Sequence, residues 1–135
     1  MTIMKKRLCV FVLGAMAAAC GGDSPSGPSR RSETFSGSLD DPTICTCGAT
    51  GIKAFGIDVV AAGRIDASAT YQPADAQLVV RVLDQNLNTV FATSTRAGGS
   101  ASLFYDAVPA KYNLQVFLAS DGPRQATFTL SVTHP

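Results

Sequence analysis

Apolar residues in this chain recur at every second position. Ala126, Phe128, Leu130 and Val132 alternate with Thr127, Thr129, Ser131 and Thr133. Tyr112, Leu114, Val116 and Leu118 alternate with Asn113, Gln115, Phe117 and Ala119. Leu78, Val80 and Val82 form a third row, and Ile65, Ala67, Ala69 and Tyr71 a fourth. Successive side chains of a strand face opposite sides, so each row predicts one buried strand face. No stretch carries apolar residues at i, i+3, i+4 and i+7, the mark of an amphipathic helix. The pattern commits the chain to an all-β fold.

Turn chemistry divides the rows. Gln72-Pro73-Ala74-Asp75, Asp84-Gln85-Asn86-Leu87-Asn88, Ala97-Gly98-Gly99-Ser100, Pro109-Ala110-Lys111 and Ser120-Asp121-Gly122-Pro123 lie between them. Gly supplies positive φ, Asn and Asp tolerate it, and Pro presets φ. Short strands with such breaks predict a sandwich or barrel. About eight strands are expected, near 33–39, 52–61, 63–71, 76–84, 89–95, 101–107, 111–119 and 125–133. About 100 residues in this form bury roughly 60–70% of the unfolded surface.

The N-terminal segment has a different organisation. Lys5, Lys6 and Arg7 precede the apolar run Leu8–Ala19, which ends in Ala17-Ala18-Ala19 and is followed by Cys20. Basic, apolar and small residues in that order form an export signal. The run is well short of the roughly 20 residues of a spanning helix. Small residues before Cys20, with Gly21-Gly22-Asp23-Ser24 after it, resemble the lipobox of bacterial lipoproteins, although Ala17 stands where Leu is usual. The resemblance implies cleavage after residue 19, a diacylglyceryl group on the Cys20 thiol, and anchoring in the bacterial cell envelope. Gly21 rather than Asp after the Cys implies the outer membrane. Residues 20–32, rich in Gly, Ser and Pro, are expected as a tether too polar to order itself. Arg30 and Arg31 are expected there as solvated charges.

The whole chain has 11 basic and 10 acidic residues, a formal charge of +1. Loss of Lys5, Lys6 and Arg7 leaves 8 basic residues against 10 acidic, a formal −2. Neither balance forms the basic face of a nucleic-acid binder.

Residues 33–133 carry a second resemblance. Ser36-Gly37-Ser38-Leu39, Phe55-Gly56-Ile57-Asp58-Val59, Pro73-Ala74-Asp75-Ala76-Gln77-Leu78, Ser102-Leu103-Phe104-Tyr105, Val108-Pro109-Ala110-Lys111-Tyr112 and Ala126-Thr127-Phe128-Thr129-Leu130-Ser131-Val132 follow one another. In order and spacing they resemble the bacterial pre-peptidase C-terminal domain. The resemblance implies a single β-sandwich of jelly-roll type with about eight antiparallel strands. Some members of that family bind calcium through carboxylates. Here only Asp40 and Asp41 stand adjacent, short of the six to eight oxygens calcium takes, and no metal ligand is assigned.

Cys45-Thr46-Cys47 is the sharpest local motif. An exported protein meets an oxidising compartment, so a Cys45–Cys47 disulfide is the expectation, with reduced or intermolecular thiols as the alternative. Residues i and i+2 of a strand lie roughly 6.6–6.8 Å apart, at the outer edge of disulfide reach. Pro42, Gly48 and Gly51 favour a loop that brings the pair closer. Asp58, Asp66 and Asp106 are expected as outward, solvated acids rather than paired glycosidase carboxylates. His134, the single His, is expected beyond the last strand, where chains fray. Tyr71 and Tyr112 fall on inward rows; Phe117 falls on an outward one. No G-x-S-x-G elbow, P-loop or G-x-G-x-x-G occurs. No catalytic residue or cofactor is assigned.

The expected function is a non-catalytic envelope lipoprotein with an accessory, adhesion or assembly module, partnered by an envelope protein or glycan. Two alternatives stand: a lectin-like binder of carbohydrate or peptide through exposed loops, and a small thiol-redox protein using Cys45 and Cys47.

Overall fold

The computed structural model describes residues 28–40, 51–119 and 122–135. Among them run nine strands: β1 (Arg31–Asp40), β2 (Ile52–Val59), β3 (Gly63–Gln72), β4 (Leu78–Asp84), β5 (Val90–Thr93), β6 (Thr95–Ala97), β7 (Ser100–Ala107), β8 (Ala110–Leu118) and β9 (Gln125–His134). All pairings are antiparallel. One sheet has the order β1-β9-β3-β7-β6 and the other β2-β8-β4-β5. With β5 and β6 read as one interrupted strand, this is the order of a jelly roll, two sheets closed face to face.

The four apolar rows are the core. Ile65, Leu78, Val82, Leu114, Val116 and Leu130 have no exposed surface. Tyr71, Tyr112 and Phe128 close the rows at 3–4% exposure. Phe55 bridges the two sheets, its ring centroid 4.5 Å from Phe35 and 6.1 Å from Phe128. Val79 and Leu83, off the inward row of β4, are buried as well, and the β4–β5 register shifts between Val82 and Leu83.

Three expectations need correction. The strand expected near 89–95 is two strands. β5 pairs with β4, and the chain then crosses at Ser94 so that β6 joins β7 in the other sheet. The Ser94 N–H donates to the Val80 carbonyl at 2.8 Å, and its Oγ accepts from the Val80 N–H at 3.0 Å. The corner is therefore bonded through both its backbone and its side chain. The second correction concerns His134, which does not fray: it ends β9 and is 1% exposed. Its Nε2 lies 3.0 Å from Glu33 Oε1 and its Nδ1 3.1 Å from the Pro135 carbonyl oxygen. A buried imidazole needs such partners, and the β1–β9 pairing brings Glu33 to it. The third concerns the end of the expected tether: Arg31 and Ser32 already belong to β1, opposite His134 and Thr133, and Arg30 is an ion-pair partner of Asp66 at 2.6 Å rather than a free solvated charge. The Cys20, Cys45 and Cys47 assignments lie outside the described residues.

Candidate functional site: the outer face of the five-stranded sheet

Alternation leaves the outer face of the five-stranded sheet to short hydroxyl side chains. The β1–β9 register sets Ser32, Thr34, Ser36 and Ser38 against Thr133, Ser131, Thr129 and Thr127. Ser68 and Thr70 continue the rows on β3, and Ser102 continues them on β7. Nearly all of these residues are exposed. Each hydroxyl is both donor and acceptor.

Where β5 crosses to β6, Thr93 and Thr95 wall one side of this face and leave a cleft of about 510 Å³. Its floor comes from three strands: Asp66 and Ser68 on β3, Ser102 and Phe104 on β7, and Ser131 and Thr133 on β9. Phe104 is 59% exposed, a large ring on an otherwise polar row. The Arg64 guanidinium lies 3.9 Å above that ring, a cation–π contact. Arg64 Nε donates to Asp66 Oδ1 at 2.7 Å. Arg30 donates to Asp66 Oδ2 at 2.6 Å and to the Arg64 carbonyl at 3.0 Å. The hydrogen bond from Arg30, with the bond and charge of Arg64, holds the Asp66 carboxyl below the usual aspartate range against the opposing effect of burial. Asp106 stands opposite Arg64 in the β3–β7 register. The two arginines and two aspartates leave the site without net charge. The terminal amino groups of Arg64 make no hydrogen bond to the described residues. A carboxylate has about four lone-pair sites, so Asp66 also keeps acceptor capacity.

The sequence candidates fall around this cleft unevenly. Asp66 and Asp106 share its face; Asp58 lies exposed on the other sheet, opposite Lys111. A general acid carries a raised pKa, and Asp66 is displaced the other way. Tyr71 and Tyr112 are core residues, as their rows require. Phe117 is half-buried on the outer face of the four-stranded sheet, under the Arg81 guanidinium at 4.5 Å. Tyr105 is half-buried, stacked on Phe91 at 5.1 Å. Burial, then the charge of Tyr112, pushes its hydroxyl above the usual tyrosine range. No group of three or more His, Cys, Asp or Glu suited to a metal occurs among the described residues. Phe104 and Arg64 were not singled out from sequence as site residues. The available signal was an aromatic standing on the outward row Ser102–Asp106.

A solved structure shares this architecture. The pre-peptidase C-terminal domain of a collagenase from Bacillus anthracis matches with a TM-score of 0.59 and 23% identity, over 74% of this chain and 87% of that one. That likeness is one of fold. PliG from Aeromonas hydrophila, a periplasmic inhibitor of g-type lysozyme, matches with a TM-score of 0.44 and 14% identity, over 78% of this chain and 86% of that one, too distant to carry an argument. No protein-family model matches the chain, and no curated protein does.

Proposed function

We propose that this chain is a non-catalytic, lipid-anchored module of the bacterial cell envelope that holds a neutral saccharide chain on the outer face of its five-stranded sheet. The cleft around Phe104 carries the reading. Strand propensity accounts for Thr and for Phe alike, but it does not account for a ring left 59% exposed beside an anchored guanidinium. A sugar ring offers an apolar C–H face for Phe104 and vicinal hydroxyls for the Arg64 amino groups, Asp66 and the surrounding Ser and Thr. The balanced charge of the site favours a neutral sugar over an ionic one.

Three further elements complete the proposal. Cys20 is the mature N-terminus and carries the lipid, in the outer membrane. Two acyl chains or more give stable anchoring where one is marginal. Cys20→Ser should release the protein or leave it as precursor; an unchanged mature, membrane-bound species would refute lipidation. Cys45 and Cys47 form a disulfide; alkylation of both thiols without reductant in envelope-derived protein would refute it. The module has no turnover of its own, and hydrolysis of glycoside, ester or peptide substrates that survives purification would overturn that.

The binding test is a glycan array probed with the full chain and with its Phe104→Ala and Arg64→Ala variants. The expected result is binding to neutral glycans, weakened tenfold or more in each variant, about 1.4 kcal/mol. No bound glycan, or binding indifferent to both substitutions, would remove the reading.

A further inference from the structure

Three turns at one end of the sandwich carry exposed aliphatic side chains. Val60 follows β2, Leu87 lies between β4 and β5, and Val108 lies between β7 and β8; they are 57%, 46% and 63% exposed. Val90, at the start of β5, is 46% exposed at the same end. The registers bring the turns together: Val59 pairs with Ala110, Gly63 with Ala107 and Asp84 with Tyr112. At the opposite end Ile52 is the one large apolar side chain exposed among the described residues.

Each turn is tied down behind its apolar tip. The Tyr112 hydroxyl donates to the Val108 carbonyl at 2.9 Å and accepts from the Val108 N–H at 3.2 Å. Asp84 Oδ1 accepts from the N–H groups of Asn88 and Thr89, at 2.7 and 2.9 Å. Asn113 Nδ2 donates to the Gln85 carbonyl at 2.9 Å. The Val60 N–H donates to the Pro135 carbonyl at 3.4 Å. Leu87 sits at φ 61°, a left-handed conformation that Gly or Asn adopts at lower cost. A solvated loop tip gains nothing from Leu there.

The chain enters the domain at this same end, since Arg31, the first residue of β1, pairs with His134, the last of β9. Cys20 lies ten positions before Arg30, at most ~35 Å of extended chain. A lipid on Cys20 would therefore attach to the domain at this end, within that reach of the bilayer.

We propose that the end formed by Val60, Leu87, Val90 and Val108 docks on the surface of the lipid bilayer, its aliphatic side chains entering the headgroup–acyl boundary. The proposal rests on the lipidation of Cys20. Arg30, Arg31 and Lys111 near these turns are balanced by Asp58, Asp84 and Asp106, so docking needs no anionic lipid. The apolar tips stand on separate turns with polar groups between them. Aliphatic tips of this kind can each enter a fluid surface separately, their polar neighbours staying at the headgroup level. Docking stands the two sheets upright and turns the hydroxyl face sideways, along the membrane.

The test uses the full mature protein, purified from membranes and reconstituted into phosphatidylethanolamine vesicles. A photoreactive diazirine residue replaces Leu87, Val108, Gln72 or Ala97, one at a time; the last two lie at the opposite end. After irradiation, peptide mass reads phospholipid adducts, and vesicle flotation and N-terminal mass read the anchor. Adducts at positions 87 and 108 should exceed those at 72 and 97 at least tenfold. Flotation with adducts equal at all four positions, or absent from 87 and 108, overturns docking and leaves the anchor standing. Crosslinks between two copies at 87 or 108 in place of lipid adducts overturn it in favour of self-association. Loss of flotation with an unmodified Cys20 overturns both.

Discussion

Tyr112 is a core residue whose hydroxyl does a separate job from its ring. The ring packs against Tyr105 and Phe91, with centroids 5.9 and 5.8 Å away. The hydroxyl meets both backbone groups of Val108. Tyr112→Phe keeps the packing and strips both hydrogen bonds. It should lower stability by about 1–3 kcal/mol, read as a lower urea midpoint at unchanged slope. Asp66 gives the pH dependence its sign. Its pKa in the folded state lies below the unfolded value. Its ion pairs therefore stabilise the fold above the ordinary aspartate range, and that contribution is lost as pH falls through the folded value. The carboxylate is 41% exposed, so solvent screening keeps the contribution to about 1 kcal/mol or less. Asp66→Asn should lower the thermal midpoint at neutral pH, and the two midpoint curves should converge in acid. Divergence in acid would contradict the assignment.

At the scale of elements, the β6–β7 hairpin separates conformation from space. Gly98 and Gly99 have φ values of 39° and 84°, and consecutive positive φ values are what a tight two-residue hairpin needs. A Cβ at Gly98 would meet nothing within 4 Å, whereas one at Gly99 would lie 3.2 Å from Ala74 Cβ. Gly98→Ala should cost about 1–2 kcal/mol from backbone strain alone, and Gly99→Ala should cost more. Equal midpoints for the two variants in thermal unfolding would contradict the geometry. This hairpin was legible as Ala97-Gly98-Gly99-Ser100 because turn chemistry is local. The rows of β3, β4, β8 and β9 were legible for the same reason: a period of two needs only near neighbours. The crossing at Ser94 was not. Nothing in Val90–Arg96 marks it, and it is decided by bonds to Val80, 14 residues away. Ser94→Ala removes the side-chain half of that corner and should cost about 1 kcal/mol, again read as a shifted denaturation midpoint. The burial of His134 is illegible on similar grounds, since its partner Glu33 stands 101 residues away and only the β1–β9 register joins them.

For the whole molecule, the jelly roll gives each surface a different character. One sheet face is hydroxyl-rich with a neutral cleft, and one end collects Val60, Leu87, Val90 and Val108. The proposed saccharide site depends on strands distant in sequence: Phe104 meets Arg64 only because β7 lies beside β3, and Ser131 and Thr133 arrive on β9. The sequence displayed those residues as ordinary outward positions, while its most conspicuous motif, Cys45-Thr46-Cys47, lies outside the described residues. A neutral site should also bind independently of salt, because screening acts on charge. The most direct measurement is a titration of the isotope-labelled full chain with a neutral glycan selected on the array, followed by backbone amide chemical shifts at low and high salt. The account predicts shifts confined to Arg64–Ser68, Ser102–Phe104 and Ser131–Thr133, with the same affinity at both salt concentrations. Shifts centred on β2, β4 and β8, or an affinity that collapses in salt, would contradict it.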